Sequence, residues 1–156
     1  MRFGQSLVAA AGCLLIAGAF ADDSAKTGIS PQALSERRSQ ATAAPFVLDV
    51  RSPEEYVSGH VPGAVNIPFD QVAGRLAEIP KDQDLVLYCR SGRRARIAAD
   101  VLVANGYASP LLLEGDMAGW ERADLPVERP ADPAACVAAL QAAQGAAEAC
   151  TPPAIR

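Results

Sequence analysis

Leu85-Val86-Leu87-Tyr88-Cys89-Arg90-Ser91-Gly92-Arg93-Arg94 decides how the chain is read. Leu85 to Tyr88 form a continuous apolar run, the signature of a strand buried on both faces. The polar turn Lys81-Asp82-Gln83-Asp84 feeds it. Cys89 stands at the strand's C-terminal end, and Gly92 permits a tight loop after it. Arg93 to Asn105 then reads as a helix, stopped by Gly106.

The flanking segments repeat this alternation. Ser30-Pro31 is an N-cap followed by proline, opening a short helix through about Arg38. Phe46 to Val50 is a compact apolar strand, and Ser52-Pro53-Glu54-Glu55-Tyr56 starts another short helix. Gly59 to Gly63 is turn chemistry, and Ala64-Val65-Asn66-Ile67 resumes an extended segment. Apolar residues at 69, 72, 76 and 79 have helical spacing, so Phe69 to Ile79 is expected to be a helix. Leu111-Leu112-Leu113 is the next strand. Glu114-Gly115-Asp116 leads from it into a short helix carrying Trp120, and Leu125-Pro126-Val127 closes the unit. Strands alternating with helices predict a three-layer α/β/α domain around a mostly parallel sheet. Ligands of such sheets bind outside the carboxyl ends of the strands, where Cys89 falls.

Half of the 156 residues are hydrophobic, which suits one domain with a core. Arg2, an uncharged stretch from Leu7 to Phe20 and Ala19-Phe20-Ala21 before Asp22-Asp23 have the layout of a cleaved secretory signal. The competing readings are a retained membrane anchor, and a lipoprotein cut before Cys13. The expected organisation is a signal peptide over 1–21, a leader over 22–28, a domain over 29–129 and an Ala-rich helical tail over 130–156. Export implies a periplasmic protein that is free of the membrane once the signal is removed. Without Arg2, 13 bases face 18 acids, a net of −5. No basic tract points to nucleic acid. Positive charge is instead local, with Arg90, Arg93, Arg94 and Arg96 inside seven positions.

Removing Cys13 leaves Cys89, Cys136 and Cys150, an odd number in a compartment that favours disulfides. The parsimonious pairing is Cys136 with Cys150, with Cys89 free. On one unbroken helix those two would lie about 21 Å apart, beyond disulfide reach. A bridge therefore needs a chain reversal, for which Gly145 is the candidate. Otherwise the pair is free, or bridges two molecules.

A cysteine nucleophile reacts as the thiolate, a minor species for an ordinary thiol at neutral pH. Cys89 precedes a helix N-terminus, whose unpaired N–H groups and dipole favour negative charge. Loop amides from Arg90 through Ser91 and Gly92 to Arg93 and Arg94 can curl towards the sulfur as an anion nest. The same cradle would hold an anionic substrate, and the chemistry needs no metal, cofactor or general base. The competing reading is an inert buried cysteine, which leaves the arginine cluster unexplained. Exposure of the thiol in an electropositive setting favours the reactive reading.

Asp49-Val50-Arg51-Ser52-Pro53-Glu54-Glu55-Tyr56, Gly59-His60-Val61-Pro62-Gly63-Ala64-Val65-Asn66-Ile67-Pro68, the Cys89 loop, and Glu114 to Trp120 with Leu125 to Val127 together resemble the rhodanese family. The resemblance runs from about Ile29 to Glu128 and is greatest to exported single-domain bacterial members. It implies a central five-stranded parallel sheet and transfer of sulfane sulfur from thiosulfate, a small anionic donor, through a Cys89 persulfide. The implied acceptor is thiophilic, with cyanide serving in vitro. Two departures stand out. Asp116 falls where the family's closing motif has a second glycine, which puts a carboxylate near the anion site. Ala95 falls where serine or threonine is usual. Related phosphatases and arsenate reductases carry an arginine six positions after the cysteine. Here that position is Ala95, which disfavours oxyanion hydrolysis.

Asp49 and Arg51 flank a buried strand end and are expected to brace the Cys89 loop. His60, the lone histidine, is expected to be structural rather than a base for Cys89. Trp120 reads as core or pocket wall, and Glu54-Glu55 as a solvated or bracing pair near Arg51. Three functions remain open: a sulfurtransferase, a persulfide carrier serving a periplasmic thiol partner, and a redox protein in which Cys89 exchanges with Cys136 or Cys150.

Overall fold

The computed structural model describes residues 28–40, 44–142 and 150. The expected signal over 1–21, the leader to residue 27 and the reversal at Gly145 lie outside the described residues. A five-stranded sheet holds the fold, built from β1 (Gly28–Ile29), β2 (Phe46–Asp49), β3 (Val65–Asn66), β4 (Leu85–Tyr88) and β5 (Leu111–Leu113). Their order is β1-β5-β4-β2-β3 and every pair is parallel. The expected mostly parallel sheet is thus parallel throughout. One isolated antiparallel bridge joins His60 to Glu128 outside it.

Alternation along β4 makes the layers. Val86 and Tyr88 enter one core with Leu34, Tyr56, Met117, Trp120, Cys136 and Leu140. Leu85, Leu87 and Cys89 enter the other with Ile67, Val72, Ala95, Ala98 and Leu102. The first core therefore lies under α1 (Pro31–Ser39), α2 (Pro53–Ser58), α4 (Asp116–Arg122) and α5 (Pro133–Gln141). The second lies under α3 (Arg93–Ala104). Leu85 to Cys89 are all buried, as a central strand of a three-layer domain requires. Among the described residues, no helix is long and apolar enough to cross a membrane.

The segment from Phe69 to Ile79 is not the expected helix. It forms two single-turn 3₁₀ helices, Val72–Gly74 and Leu76–Glu78. The single Tyr107 hydroxyl lies 2.7 and 3.0 Å from the carbonyl oxygens of Leu76 and Ile79, so a donor from outside is shared between them. The apolar spacing recorded burial of Val72 and Ile79 rather than a helical ladder.

In the described part of the tail, α5 spans Pro133–Gln141. Cys136 and Cys150 are disulfide-bonded, with Cα atoms 4.8 Å apart. Both belong to the Trp120 core, across the sheet from Cys89.

Candidate functional site

The outgoing connection of β2 runs to the edge strand β3, and that of β4 runs the other way to β5. Adjacent parallel strands whose connections diverge leave a crevice at their carboxyl ends. Asp49 ends β2 there, and Cys89 follows β4.

Cys89 is the free cysteine among the described residues. Gly92 donates its N–H to Sγ at 3.1 Å, which is possible because Gly92 adopts φ +84°, the left-handed region that glycine enters at little cost. Gly92 also caps α3 without a side-chain hydrogen bond, and Ala95 in the first turn is buried core. The expected exposure of the thiol is not observed. Residue 89 is 1% exposed, because it continues the inward alternation of β4 and sits at the floor of the loop.

The arginines divide. Arg90 and Arg93 are exposed, as is Ser91. Arg94 is instead paired with Glu55, through hydrogen bonds of 2.6 and 2.9 Å. Arg94's own hydrogen bonds hold the Glu55 carboxyl down at about 2, well below the usual range. Glu55 also accepts the Ser52 N–H, closing a capping box on α2, so one carboxylate joins α2 to the start of α3. Glu55 therefore braces Arg94 rather than pairing with Arg51.

Asp49 and Arg51 form a buried pair, with Nη2–Oδ2 at 2.6 Å. Burial pulls the Arg51 guanidinium down, and the hydrogen bonds and charge of Asp49 more than reverse this. Arg51 also donates to the Gly59 carbonyl at 2.8 Å, and Tyr88 Oη donates to Asp49 at 2.7 Å. Burial, then the Asp49 charge, pushes the Tyr88 phenol well up. Among the described hydrogen bonds, none from Asp49 or Arg51 reaches residues 90–94. The pair braces the turn at Gly59, and touches the loop's strand only through Tyr88, one residue before Cys89. His60 stacks on Tyr56 with ring centroids 3.7 Å apart, and its Nδ1–H donates to the Tyr56 carbonyl at 3.0 Å. Burial lowers its pKa, so a neutral ring is favoured.

Asp116 was marked in sequence only as a departure near the anion site. It is a buried carboxylate at φ +54°, and Oδ1 accepts the Cys89 backbone N–H at 2.8 Å. Met117 donates its N–H to the Cys89 carbonyl at 3.1 Å, so the start of α4 holds both sides of residue 89. A cleft of about 360 Å³ opens beside the loop, lined by Arg51, Glu55, Arg90, Met117, Ala118 and Glu121 among others.

A parallel sheet between helical layers, with a buried free cysteine at the strand switch and one loop amide on its Sγ, places the chain among α/β proteins. The chain belongs to the Rhodanese-like domain family, whose model matches residues 30–123. A sulfurtransferase of Allochromatium vinosum is 38% identical over 102 residues, 65% of this chain and 94% of that protein. The thiosulfate sulfurtransferase PspE of Escherichia coli is 43% identical over 67 residues, 42% of this chain and 64% of PspE. A putative sulfur carrier protein of Bacillus subtilis, YrkF, is 35% identical over 74 residues, 47% of this chain and 40% of YrkF. A rhodanese-related protein from Thermoplasma volcanium superposes with TM-score 0.57 at 27% identity, over 64% of this chain and 95% of that one.

Proposed function

We propose that the protein transfers sulfane sulfur through Cys89, with thiosulfate as a donor and cyanide as an acceptor in vitro. The Sγ thiolate attacks the terminal sulfur of thiosulfate. A bond forms between the two sulfurs, the donor's S–S bond breaks, and its electron pair leaves with sulfite. Cyanide then attacks the outer sulfur of the Cys89 persulfide, thiocyanate departs, and the thiolate is restored. The amide of Gly92, 3.1 Å from Sγ, is the observation that carries this reading, since it stabilises negative charge on Sγ before attack and again when cyanide restores the thiolate. Exposed Arg90 and Arg93 attract the anion, and Arg94 keeps the loop in shape through Glu55. Thiosulfate:cyanide turnover in the wild type and in Cys89→Ala tests this, and undiminished activity in the variant would sink it.

A persulfide carrier is the second reading, favoured by the near-complete burial of Cys89 and by the likeness to a putative sulfur carrier. One added sulfur on Cys89 by intact mass, with slow release to cyanide, would select it. Exchange of Cys89 with the tail cysteines is disfavoured, because those lie across the sheet and are bonded to each other. The signal-like start supports export to an oxidising compartment. N-terminal sequencing of protein from the cell envelope checks this, and a chain still starting at Met1 in the cytoplasm would refute it.

A further inference from the structure

Asp116 places a carboxylate against the one residue expected to carry a negative sulfur. Its Oδ1 accepts the Cys89 N–H at 2.8 Å, and N and Sγ of one cysteine are three bonds apart, so the carboxylate lies within about 7 Å of the sulfur. Oδ2 faces the loop: a methyl group built on Gly92 would lie 3.1 Å from it. Among the described residues no cation lies within ion-pair distance of this carboxylate. Arg94 is paired with Glu55, and Arg96, 3.5 Å from the same methyl position, makes no ion pair with Asp116 among the described residues. The neighbouring cleft sets Glu121 and the Arg94-paired Glu55 beside Arg90 and the Asp49-paired Arg51, over the apolar surfaces of Met117 and Ala118. At about 360 Å³ it has room for an organic substituent that thiosulfate lacks.

We propose that Asp116 is a specificity-determining residue that ranks sulfane-sulfur donors by charge, favouring singly charged organic donors over the thiosulfate dianion. The inference rests on the reading that Cys89 takes the sulfane sulfur, and it deepens that reading by naming the donor class. A donor R–SO₂–S⁻ delivers its terminal sulfur as thiosulfate does. Sγ bonds to that sulfur, the S–S bond breaks, and its electron pair leaves with the sulfinate R–SO₂⁻. The two donors share the transferred atom and differ by one unit of charge. Near Asp116 that unit is worth on the order of tenfold in binding, at a dielectric between those of protein and water.

The test compares kcat/KM for thiosulfate and for methanethiosulfonate, with cyanide as acceptor, in the full chain and in Asp116→Asn. Asparagine keeps an oxygen to accept the Cys89 N–H and tolerates the left-handed backbone, so it removes charge while keeping the contact. The substitution is expected to raise kcat/KM for thiosulfate about tenfold more than for methanethiosulfonate, chiefly through KM. Asp116→Gly, which suits φ +54° better still, should move the ratio the same way. An unchanged donor ratio, or equal losses for both donors through kcat alone, would overturn the inference and reduce Asp116 to a structural contact. If neither donor leaves sulfur on Cys89 by intact mass, the sulfur-transfer reading fails first and this inference falls with it.

Discussion

Arg94 and Glu55 meet in two hydrogen bonds, 2.6 and 2.9 Å long, across 39 positions of sequence. The pair ties the first turn of α3, which follows the Cys89 loop, to the capping box of α2. Both side chains remain partly open to solvent, at 27% and 31%, which limits the pair to about 1 kcal/mol of stability. Glu55→Gln should lose that amount and slow persulfide formation several-fold, because Arg94 is no longer anchored. The pH dependence has a definite sign. The folded-state pKa of Glu55 is depressed to about 2, so its contribution is full above the unfolded carboxyl value and lost as pH falls towards 2. Urea unfolding of wild type and Glu55→Gln should therefore differ at pH 7 and converge near pH 2. A gap that persists undiminished at the acid end would contradict the pairing.

Gly92→Ala should damage the loop more than the fold. Gly92 holds φ +84°, where a side chain costs about 1–2 kcal/mol. Its new methyl group would also press on Asp116 Oδ2 at 3.1 Å. Relaxing that contact moves the Gly92 N–H away from Sγ. The melting temperature should drop by several degrees, while sulfur loading of Cys89 from thiosulfate falls at least tenfold. Wild-type loading rates in this variant would remove the Gly92 amide from the proposed chemistry.

What could be read in the sequence was what the chain does locally. Leu85 to Arg94 shows its strand, loop and helix directly, because an apolar run, one glycine and a helix start are neighbours. Phe69 to Ile79 misled because apolar spacing reports burial; its carbonyls take local i→i+3 bonds, and Tyr107, about thirty residues on, adds a hydroxyl at Leu76 and Ile79. The partner of Arg94 was hidden by its distance in sequence. Glu55 was legible as a bracing carboxylate, but the choice between Arg51 and Arg94 is made by how α2 and α3 are placed. Asp116 was visible only as a departure. Its bond to the Cys89 amide depends on β4 and β5 being adjacent, which no local pattern records.

Asp49→Ala is expected to be the most destabilising of these substitutions. Asp49 is fully buried and neutralises Arg51, itself 5% exposed, while accepting the Tyr88 hydroxyl. Removing it strands a buried guanidinium and a buried phenol, a loss of about 3–5 kcal/mol. Asn66 bonds the Asp49 and Arg51 carbonyls through its amide nitrogen, so the turn from Gly59 to Asn66 should loosen together. Hydrogen exchange should show lost protection at Val61 and Ile67 before α3 is affected. Loss confined to the Cys89 loop would instead mean that Asp49 braces that loop directly.

Reduction of the Cys136–Cys150 disulfide should lower stability without touching Cys89. The bond closes a loop with a sequence separation of 14, for which chain entropy gives about 3 kcal/mol. It fixes α5, whose Gln141 donates to Glu54 of α2 at 3.1 Å and whose Cys136 and Leu140 enter the Trp120 core. Cys89 belongs to the opposite core, so the sheet stands between the two sulfur sites. A Cys136→Ala/Cys150→Ala variant should therefore unfold at lower urea, by an amount equivalent to about 3 kcal/mol, yet load sulfur from thiosulfate at close to the wild-type rate under conditions where it is folded. Two outcomes would count against a fixed staple. One is a double variant as stable as the wild type, and the other is a bond between Cys89 and either tail cysteine in non-reducing peptide maps. The second would return the chain to the redox-exchange reading, because the sheet would then have to open for the sulfurs to meet.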